Sequence, residues 1–373
     1  MRDSVVRPRL AVSVFNAEEV RAAVAGGADI IDCEDPRSSL GMFEPRVVTD
    51  IGYAVRQSAG ARAIPTSANI GIPQQLKGQA AREVVRRSQL EVQAKAAQEA
   101  LGLAAAMDVD DARPNVIKFE VDGLPDKDVG PYVDAVKRAV RRSRRYQNHR
   151  VVASCLELDR HEWERRRLDS SVIRELLQIG EFYFDARGEI DLKDYLTPEQ
   201  VADLVSRSTS SDTHVSLFQP TDPERLGLPA DPSERLHFLV TTVAQAGADA
   251  VMIDTPVQAK VAGICLLIDE PAEQVPSTDS RHGTFAIETL KRFSEDCAYN
   301  KVECWLAGSI NAKDAGRLAE LEDVDVIMCR GAASAQVRNP FGAGSSQDRA
   351  ERRINAAKVR ELAIAVRGPF DGR

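Results

Sequence analysis

Short apolar runs alternate with segments of helical periodicity along most of the chain. Eight of these runs are rich in β-branched residues and bounded by turn residues, which is typical of buried strands. They are RLAVSVF, ADIIDCED, ARAIPTSANIG, NVIKFEVDG, RVVASCLELD, ADAVMIDTP, VECWLAGSI and VDVIMCRGA. Helical patterns such as AEEVRAAVAGG and ERLHFLVTTVAQAG lie between them. The alternation predicts an α/β protein with the (β/α)₈ TIM-barrel fold, and a doubly wound parallel sheet is the alternative.

Two segments are longer than a minimal barrel requires. Residues 160–232 follow the fifth predicted strand and contain helical pieces, and residues 267–283 follow the sixth. We interpret residues 1–373 as a single barrel domain with these two insertions. Both would leave the carboxyl end of the barrel, where active sites of this fold lie. For residues 160–232, a lid, an oligomer contact and a plain surface excursion remain open.

Ionisable residues recur where the predicted strands end. Side chains at i and i+2 share a face of a strand. Such positions are Asp32 and Glu34 on strand two, Lys118, Glu120 and Asp122 on strand four, Glu157 and Asp159 on strand five, and Asp254 at the end of strand six. Charge on a buried barrel strand is unfavourable unless it is paired. A local ion pair, such as Glu34 with Lys118, would explain one pair, but recurrence on converging strands favours a functional pocket.

Strands seven and eight end in small residues and an arginine. The stretches are LAGSI, which includes Gly308 and Ser309, and RGAAS, which begins with Arg330 and Gly331. Small residues let backbone N–H groups approach an anion, and arginine supplies positive charge. The loops after these two strands form the usual phosphate site of the fold. We therefore expect a phosphate-binding site there, whereas a packed Gly-Ser turn is the structural alternative.

Composition narrows the class of partner. The chain has 373 residues and a formal net charge of −8, which argues against a nucleic-acid or membrane partner. It has neither an apolar run long enough to span a membrane nor a signal-peptide pattern at the N-terminus. Its six cysteines are scattered without CxxC spacing. We expect a cytoplasmic protein with reduced, buried cysteines.

Several stretches together resemble the (5-formylfuran-3-yl)methyl phosphate synthase family of methanofuran biosynthesis. They are GGADIIDCEDPRSSLG, TSANIG, NVIKF, GADAVMIDT, WLAGSI, DVDVIMCRGAAS and DRAERRINAAKVREL, and they run in the family's order. The resemblance implies a TIM-barrel lyase that combines two molecules of glyceraldehyde-3-phosphate into a phosphorylated furan aldehyde. It also implies dependence on lysine, with an imine (Schiff base) proposed.

Residue by residue, the resemblance is incomplete. Asp32, Lys118 and Asp254 match acids and a lysine of the family. Glu34 stands where the family has a lysine, and Gln258 stands where it has another, although Lys260 lies two residues further on. Glu120 replaces a glycine, and Asn69, which follows Ser67 in TSANIG, replaces a threonine. A glutamate cannot form an imine, so Lys118 or Lys260 takes that role or the chemistry uses none.

Three hypotheses follow. In the first, a lyase or aldolase without a cofactor acts on phosphorylated small aldehydes. Its candidate catalytic residues are Asp32, Glu34, Lys118, Asp254 and Lys260, and its candidate substrate-binding residues are Ser67, Asn69, Glu120, Gly308, Ser309, Arg330 and Gly331. In the second, Mg²⁺ is held by Glu34, Glu120, Glu157 and Asp254, and DCEDP is similar to the acidic motif of citrate-lyase-like aldolases. In the third, a catalytically inactive homologue binds a sugar phosphate or a partner enzyme. We expect a homo-oligomer in each case.

The role of Lys118 depends on its neighbours. A close carboxylate raises the pKa of a lysine, whereas an imine-forming amine needs a lowered pKa. If Glu34 contacts Lys118, we expect Lys118 to be an electrostatic anchor and Lys260 to be the better nucleophile.

Overall fold

A computed structural model describes ten ranges of the chain. They are residues 7–34, 45–60, 62–70, 89–108, 115–121, 124–156, 231–255, 264–267, 282–337 and 351–368.

Twelve strands lie within these ranges. They are β1 (Arg9–Val14), β2 (Ile30–Cys33), β3 (Thr66–Asn69), β4 (Val116–Glu120), β5 (Arg150–Leu156), β6 (Ala250–Asp254), β7 (Ile264–Leu267), β8 (His282–Phe285), β9 (Glu303–Leu306), β10 (Val326–Cys329), β11 (Ser334–Val337) and β12 (Glu351–Ile354). Eight of them close into a parallel barrel in the order β1-β10-β9-β6-β5-β4-β3-β2. The predicted TIM barrel is confirmed, and its seventh and eighth predicted strands are β9 and β10.

Eight α-helices lie in the same parts of the chain. They are α1 (Ala17–Gly26), α2 (Pro45–Ala59), α3 (Gln89–Met107), α4 (Asp126–Arg142), α5 (Pro232–Gln245), α6 (Ile287–Tyr299), α7 (Ala312–Ala319) and α8 (Ala356–Arg367). Asn16, Asp231 and Asn311 cap α1, α5 and α7, because each side chain accepts a backbone N–H of the first turn. Gly27 ends α1 in the left-handed region, with φ 101°.

Two short strand pairs lie outside the barrel and were not predicted. β7 pairs in parallel with β8, and β11 pairs antiparallel with β12. The ends of the predicted insertion 267–283 therefore lie in β7 and β8, and residues 268–281 lie outside the described ranges. Of the predicted insertion 160–232, only the last two residues are described, and they begin α5.

Apolar side chains fill the barrel on both sides of its strands. Trp305 and Met252 lie inside the barrel with Ile30, Val116 and Val152. The alternate strand residues pack outward against the helices in a larger core. This two-sided burial explains why most of the strands are continuous apolar runs. All six cysteines are buried and free, as predicted.

Acidic residues just before three strands hold the amino end of the barrel together. Asp29, Asp249 and Asp325 each accept a backbone N–H of the neighbouring strand, from Leu10, Val151 and Cys304 respectively, at 2.8–2.9 Å. The turns GADI and GADA therefore each place a structural aspartate immediately before a strand, β2 and β6 respectively. This role is separate from that of the acidic residues at the carboxyl ends of the same strands.

The helices of the described ranges give no candidate for a membrane span, since none combines sufficient length with sufficient apolar character.

Candidate active site

A buried ion pair lies at the carboxyl end of the barrel. Nζ of Lys118 on β4 is 2.8 Å from Oδ1 of Asp32 on β2, and both side chains are almost fully buried. The Ser13 hydroxyl on β1 donates to Oδ2 of Asp32 at 3.0 Å. Sδ of Met328 on β10 lies 3.7 Å from Nζ. The interior alternation of four strands thus brings these side chains together, because Met328 belongs to the apolar layer inside the barrel.

The surroundings of Lys118 keep it charged. Burial lowers the pKa of Lys118, but Asp32, Glu34 and Asp254 raise it, and the net direction is upward. These carboxylates therefore favour the charged, ammonium form of Lys118. This is the electrostatic role expected from a close carboxylate, although the contacting carboxylate is that of Asp32 and not that of Glu34.

Asp32 experiences opposing influences. Burial raises its pKa, Lys118 lowers it, Glu34 raises it, and the nearby Ser67 hydroxyl lowers it. The net direction is upward, which makes Asp32 a better proton acceptor than a solvated aspartate. Ser67 lies opposite Asp32 in the β2–β3 register.

A second polar pair lies beside the first. Nδ2 of Asn69 on β3 donates to Oε1 of Glu120 on β4 at 3.3 Å, and both side chains are buried. On β5, Ser154 stands opposite Glu120 in register. The buried hydroxyl of Ser154 has no hydrogen-bond partner among the residues that the structure describes. Asn69 and Glu120 are thus held together at the mouth of the barrel, next to Lys118 and Ser154.

The turn after β9 is tightly packed against β6. Gly308 has φ 120° and Ser309 has φ 53°. A Cβ built on Gly308 would lie 2.4 Å from Oγ1 of Thr255 and 2.9 Å from its backbone nitrogen, so no side chain fits there. The carbonyl of Gly308 accepts the N–H of Leu266 on β7 at 2.9 Å. Glycine is required at this position, and the exposed Ser309 is presented beside the end of β6 where Asp254 lies.

Arg330 is oriented by contacts with β1 and α1. Its Nη1 donates to the carbonyl of Ser13 at 3.0 Å and to Oε2 of Glu19 at 3.1 Å. Because the Ser13 hydroxyl also donates to Asp32, Ser13 connects Arg330 to the ion pair. The next residue, Gly331, is exposed and has open space around it. Ser13 thus connects Arg330 to Asp32 and Lys118, and the charge of Asp254 also acts on Lys118.

Some candidate residues lie outside the described ranges, and some contacts were not foreseen. Lys260, with Asp35, Asp122, Glu157, Asp159 and Gln258, lies outside the described ranges. Sequence reasoning missed Ser13, Ser154 and Glu19. The alternation on β1 and β5 could have found the two serines, whereas Glu19 has only the pattern of a helix-capping acid after Asn16.

A metal centre has no ligand cluster in the described part of the chain. Within it, no group of three or more histidine, cysteine, aspartate or glutamate side chains is arranged to hold a metal ion. The Mg²⁺ hypothesis also names Glu157, which lies outside these ranges.

The fold and the polar mouth define a (β/α)₈ barrel with an ionisable pocket at the carboxyl ends of its strands. The family model described as 4-HFC-P synthase matches residues 10–163, the part that carries Asp32, Glu34, Ser67, Asn69, Lys118 and Glu120. The resemblance that the motifs indicated is confirmed over this part of the chain, and the family is named for an enzyme activity.

Solved structures with a similar course of the chain were also found. Phosphoribosyl anthranilate isomerase from Thermus thermophilus is 11% identical, with 96% of this chain and 97% of that chain covered and a TM-score of 0.41. Thiamine phosphate pyrophosphorylase from Pyrococcus furiosus is 15% identical, with 96% and 95% covered and a TM-score of 0.39. A 2,3-dimethylmalate lyase is 11% identical, with 86% and 73% covered and a TM-score of 0.38. The comparison with curated proteins found no match.

Proposed function

We propose that the protein is a lyase that condenses or rearranges phosphorylated small aldehydes of the triose phosphate class, and that its overall reaction forms a phosphorylated furan with loss of one phosphate and of water. The buried contact between Lys118 and Asp32 at the carboxyl end of the barrel carries this proposal. The match of residues 10–163 to 4-HFC-P synthase supports the reaction class.

Lys118 acts as a fixed positive charge in this proposal. Imine formation needs a neutral amine, and the carboxylates around Lys118 raise its pKa. An ammonium group that is held in a buried site stabilises the oxyanion that develops when a carbonyl compound loses a proton. If an imine forms, we assign it to Lys260 rather than to Lys118.

Asp32 moves the proton. Its carboxylate removes a proton from the carbon next to the carbonyl, and the C–H electron pair becomes the carbon–carbon double bond of an enolate. The negative charge on the enolate oxygen lies beside Lys118. The enolate carbon then attacks the aldehyde carbon of a second molecule, and the resulting alkoxide takes the proton back from Asp32. The burial that raises the pKa of Asp32 suits it to both steps.

The substrate phosphate is assigned to the part of the mouth where β9 and β10 end. Arg330 supplies the charge there, and the backbone at Gly308, Ser309 and Gly331 supplies close-approaching N–H groups. Asp254 and Glu34 hold Lys118 in its charged form from the side. Asn69 and Glu120 offer an amide and a carboxylate to the hydroxyl groups of the substrate.

The test is turnover of glyceraldehyde-3-phosphate and dihydroxyacetone phosphate by the full chain, followed by mass spectrometry of the products. We expect Asp32→Asn and Lys118→Met to lower kcat about 10²–10⁴-fold. The matched control is Lys137→Met, which removes an ion-paired lysine at the amino end of the barrel, and it should retain activity. Failure of the folded wild-type protein to convert either compound would refute the proposed substrate class.

Borohydride reduction in the presence of both substrates separates the two roles of Lys118. Peptide mapping should find Lys118 unmodified, because its amine is charged. A reduced adduct on Lys118 would refute the electrostatic assignment.

A further inference from the structure

Glu19 is a buried carboxylate that holds three parts of the structure together. It lies in the first turn of α1 and is only 5% exposed. Its Oε2 accepts the N–H of Phe15 at 2.7 Å and Nη1 of Arg330 at 3.1 Å, and its Oε1 accepts the N–H of Ile354 on β12 at 3.2 Å. The end of β1, the end of β10 and the β11–β12 pair therefore meet at one side chain.

The same contacts leave one edge of Arg330 available. Both N–H groups of Nη1 are directed to protein oxygens, those of Glu19 and of the Ser13 carbonyl. No residue of the described ranges hydrogen-bonds Nε or Nη2 of Arg330. A guanidinium group binds a phosphate or carboxylate best through two parallel N–H bonds from one edge. The Arg330 side chain is 20% exposed, so part of it is reachable from solvent.

We infer that Glu19 is a positioning residue for anion binding. It fixes Arg330 through Nη1, so that the Nε–Nη2 edge faces the mouth and receives a phosphate group. The inference rests on the proposed function, in which Arg330 binds the substrate phosphate. It adds a specific claim, namely that phosphate affinity depends on a carboxylate that never touches the phosphate.

Charge alone would predict the opposite effect. A carboxylate next to an arginine reduces the net positive charge at the site, and its neutralisation would then strengthen binding of an anion. If Glu19 acts by orienting Arg330, neutralising Glu19 weakens binding, because the free side chain must be ordered again when the phosphate binds. The sign of the change therefore distinguishes orientation from simple electrostatics.

The experiment is calorimetric titration of inorganic phosphate into the full chain at fixed salt concentration. Arg330→Ala should weaken phosphate binding at least about 10-fold. Glu19→Gln should weaken it roughly 3- to 10-fold. Glu19→Gln combined with Arg330→Ala should bind no more weakly than Arg330→Ala alone, because the two residues act as one unit. The control is Glu18→Gln, the same charge change one residue away on an exposed side chain, and it should leave the Kd unchanged.

A purely structural role for Glu19 gives a different pattern. In that case Glu19→Gln lowers the melting temperature but leaves the Kd of the folded protein equal to that of Glu18→Gln, and the inference is overturned. Stronger binding by Glu19→Gln, or equal weakening in the presence and absence of Arg330, overturns it as well. If Arg330→Ala binds phosphate as tightly as the wild type, or the wild type binds none, the phosphate site itself is refuted along with the inference.

A second variant covers the case in which Glu19→Gln does not fold. Glu19→Asp retains the charge but draws the carboxylate back by one methylene group, which shifts the guanidinium it holds. We expect weaker phosphate binding from Glu19→Asp, and wild-type affinity would overturn the inference.

Discussion

Removing the charge of Lys118 tests the electrostatics of the site most directly. In Lys118→Met the apolar stem remains, and Asp32 keeps the hydrogen bond from the Ser13 hydroxyl. Asp32 is fully buried, so its carboxylate would lie without a countercharge. Breaking a buried ion pair in this way destabilises a protein by about 3–5 kcal/mol.

Protonation of Asp32 sets an upper limit on this loss. The ordinary pKa of the carboxyl is 3.8, and taking up a proton costs about 1.4 kcal/mol for each pH unit above that value. The limit is therefore about 4.5 kcal/mol at pH 7 and roughly 1.7 kcal/mol at pH 5. Without Lys118 the pKa of Asp32 rises further, so the destabilisation is present at high pH and diminishes as pH falls.

Urea unfolding of the full chain measures the effect, with the fluorescence of the buried Trp305 as a reporter. We expect Lys118→Met to lose about 3–4 kcal/mol at pH 7 and less than half of that at pH 5. Asp32→Asn combined with Lys118→Met should recover most of the loss, because no uncompensated charge remains. The reasoning is refuted if Lys118→Met stays within about 1 kcal/mol of wild type at pH 7, if its deficit does not shrink by pH 5, or if the double variant is as unstable as the single one.

Two further predictions concern the turn after β9 and the amino end of the barrel. Gly308→Ala should destabilise the protein by about 1–3 kcal/mol, because its φ of 120° and the contact with Thr255 leave no room for a methyl group. Gly331→Ala, where a Cβ meets nothing within 4 Å, should stay within about 0.5 kcal/mol; equal melting temperatures for the two variants would contradict this account. At the amino end, burial raises the pKa of Glu303, but Arg150, Arg9 and Trp305 lower it to below its usual 4.5 overall. The ionised Glu303 therefore contributes to the free energy of unfolding above about pH 4.5, and this contribution is lost as the solution becomes more acidic. Glu303→Gln should lower the free energy of unfolding at pH 7 and weaken its dependence on pH below about 4.5. The control Glu288→Gln, which changes an exposed side chain, should do neither. If Glu303→Gln leaves the pH dependence in acid unchanged, Glu303 is not the titrating group.

The barrel could be predicted because most of its strands are apolar runs of the right length. Ile30 and Ile31 illustrate the reason, since one faces the interior of the barrel and the other faces the helices. The short pairs β7–β8 and β11–β12 could not be predicted in the same way. Their strands have four residues each, and their pairing joins segments separated by 14 and 13 residues of chain.

The sequence predicts which residues belong to the site better than it predicts the contacts between them. Strand alternation placed Asp32 and Lys118 at the same mouth, but the partner of Lys118 depends on how β2 and β4 are staggered around the barrel. That stagger follows from the register in which both strands pair with β3. No local sequence pattern encodes this register. Glu19 was missed for a related reason, because its contact with Arg330 joins residues 311 positions apart.

Asp29, Asp249 and Asp325, which precede β2, β6 and β10, accept backbone N–H groups at the amino end of the barrel. The ionisable residues of the candidate site, such as Asp32 and Lys118, lie at the carboxyl end. A strand of five residues separates these ends by roughly 15 Å, a distance at which substitutions usually act independently. Engineering can exploit this separation. New reactivity can be introduced at the carboxyl ends of the strands beyond Asp32 and Lys118, while Asp29, Asp249 and Asp325 preserve the scaffold.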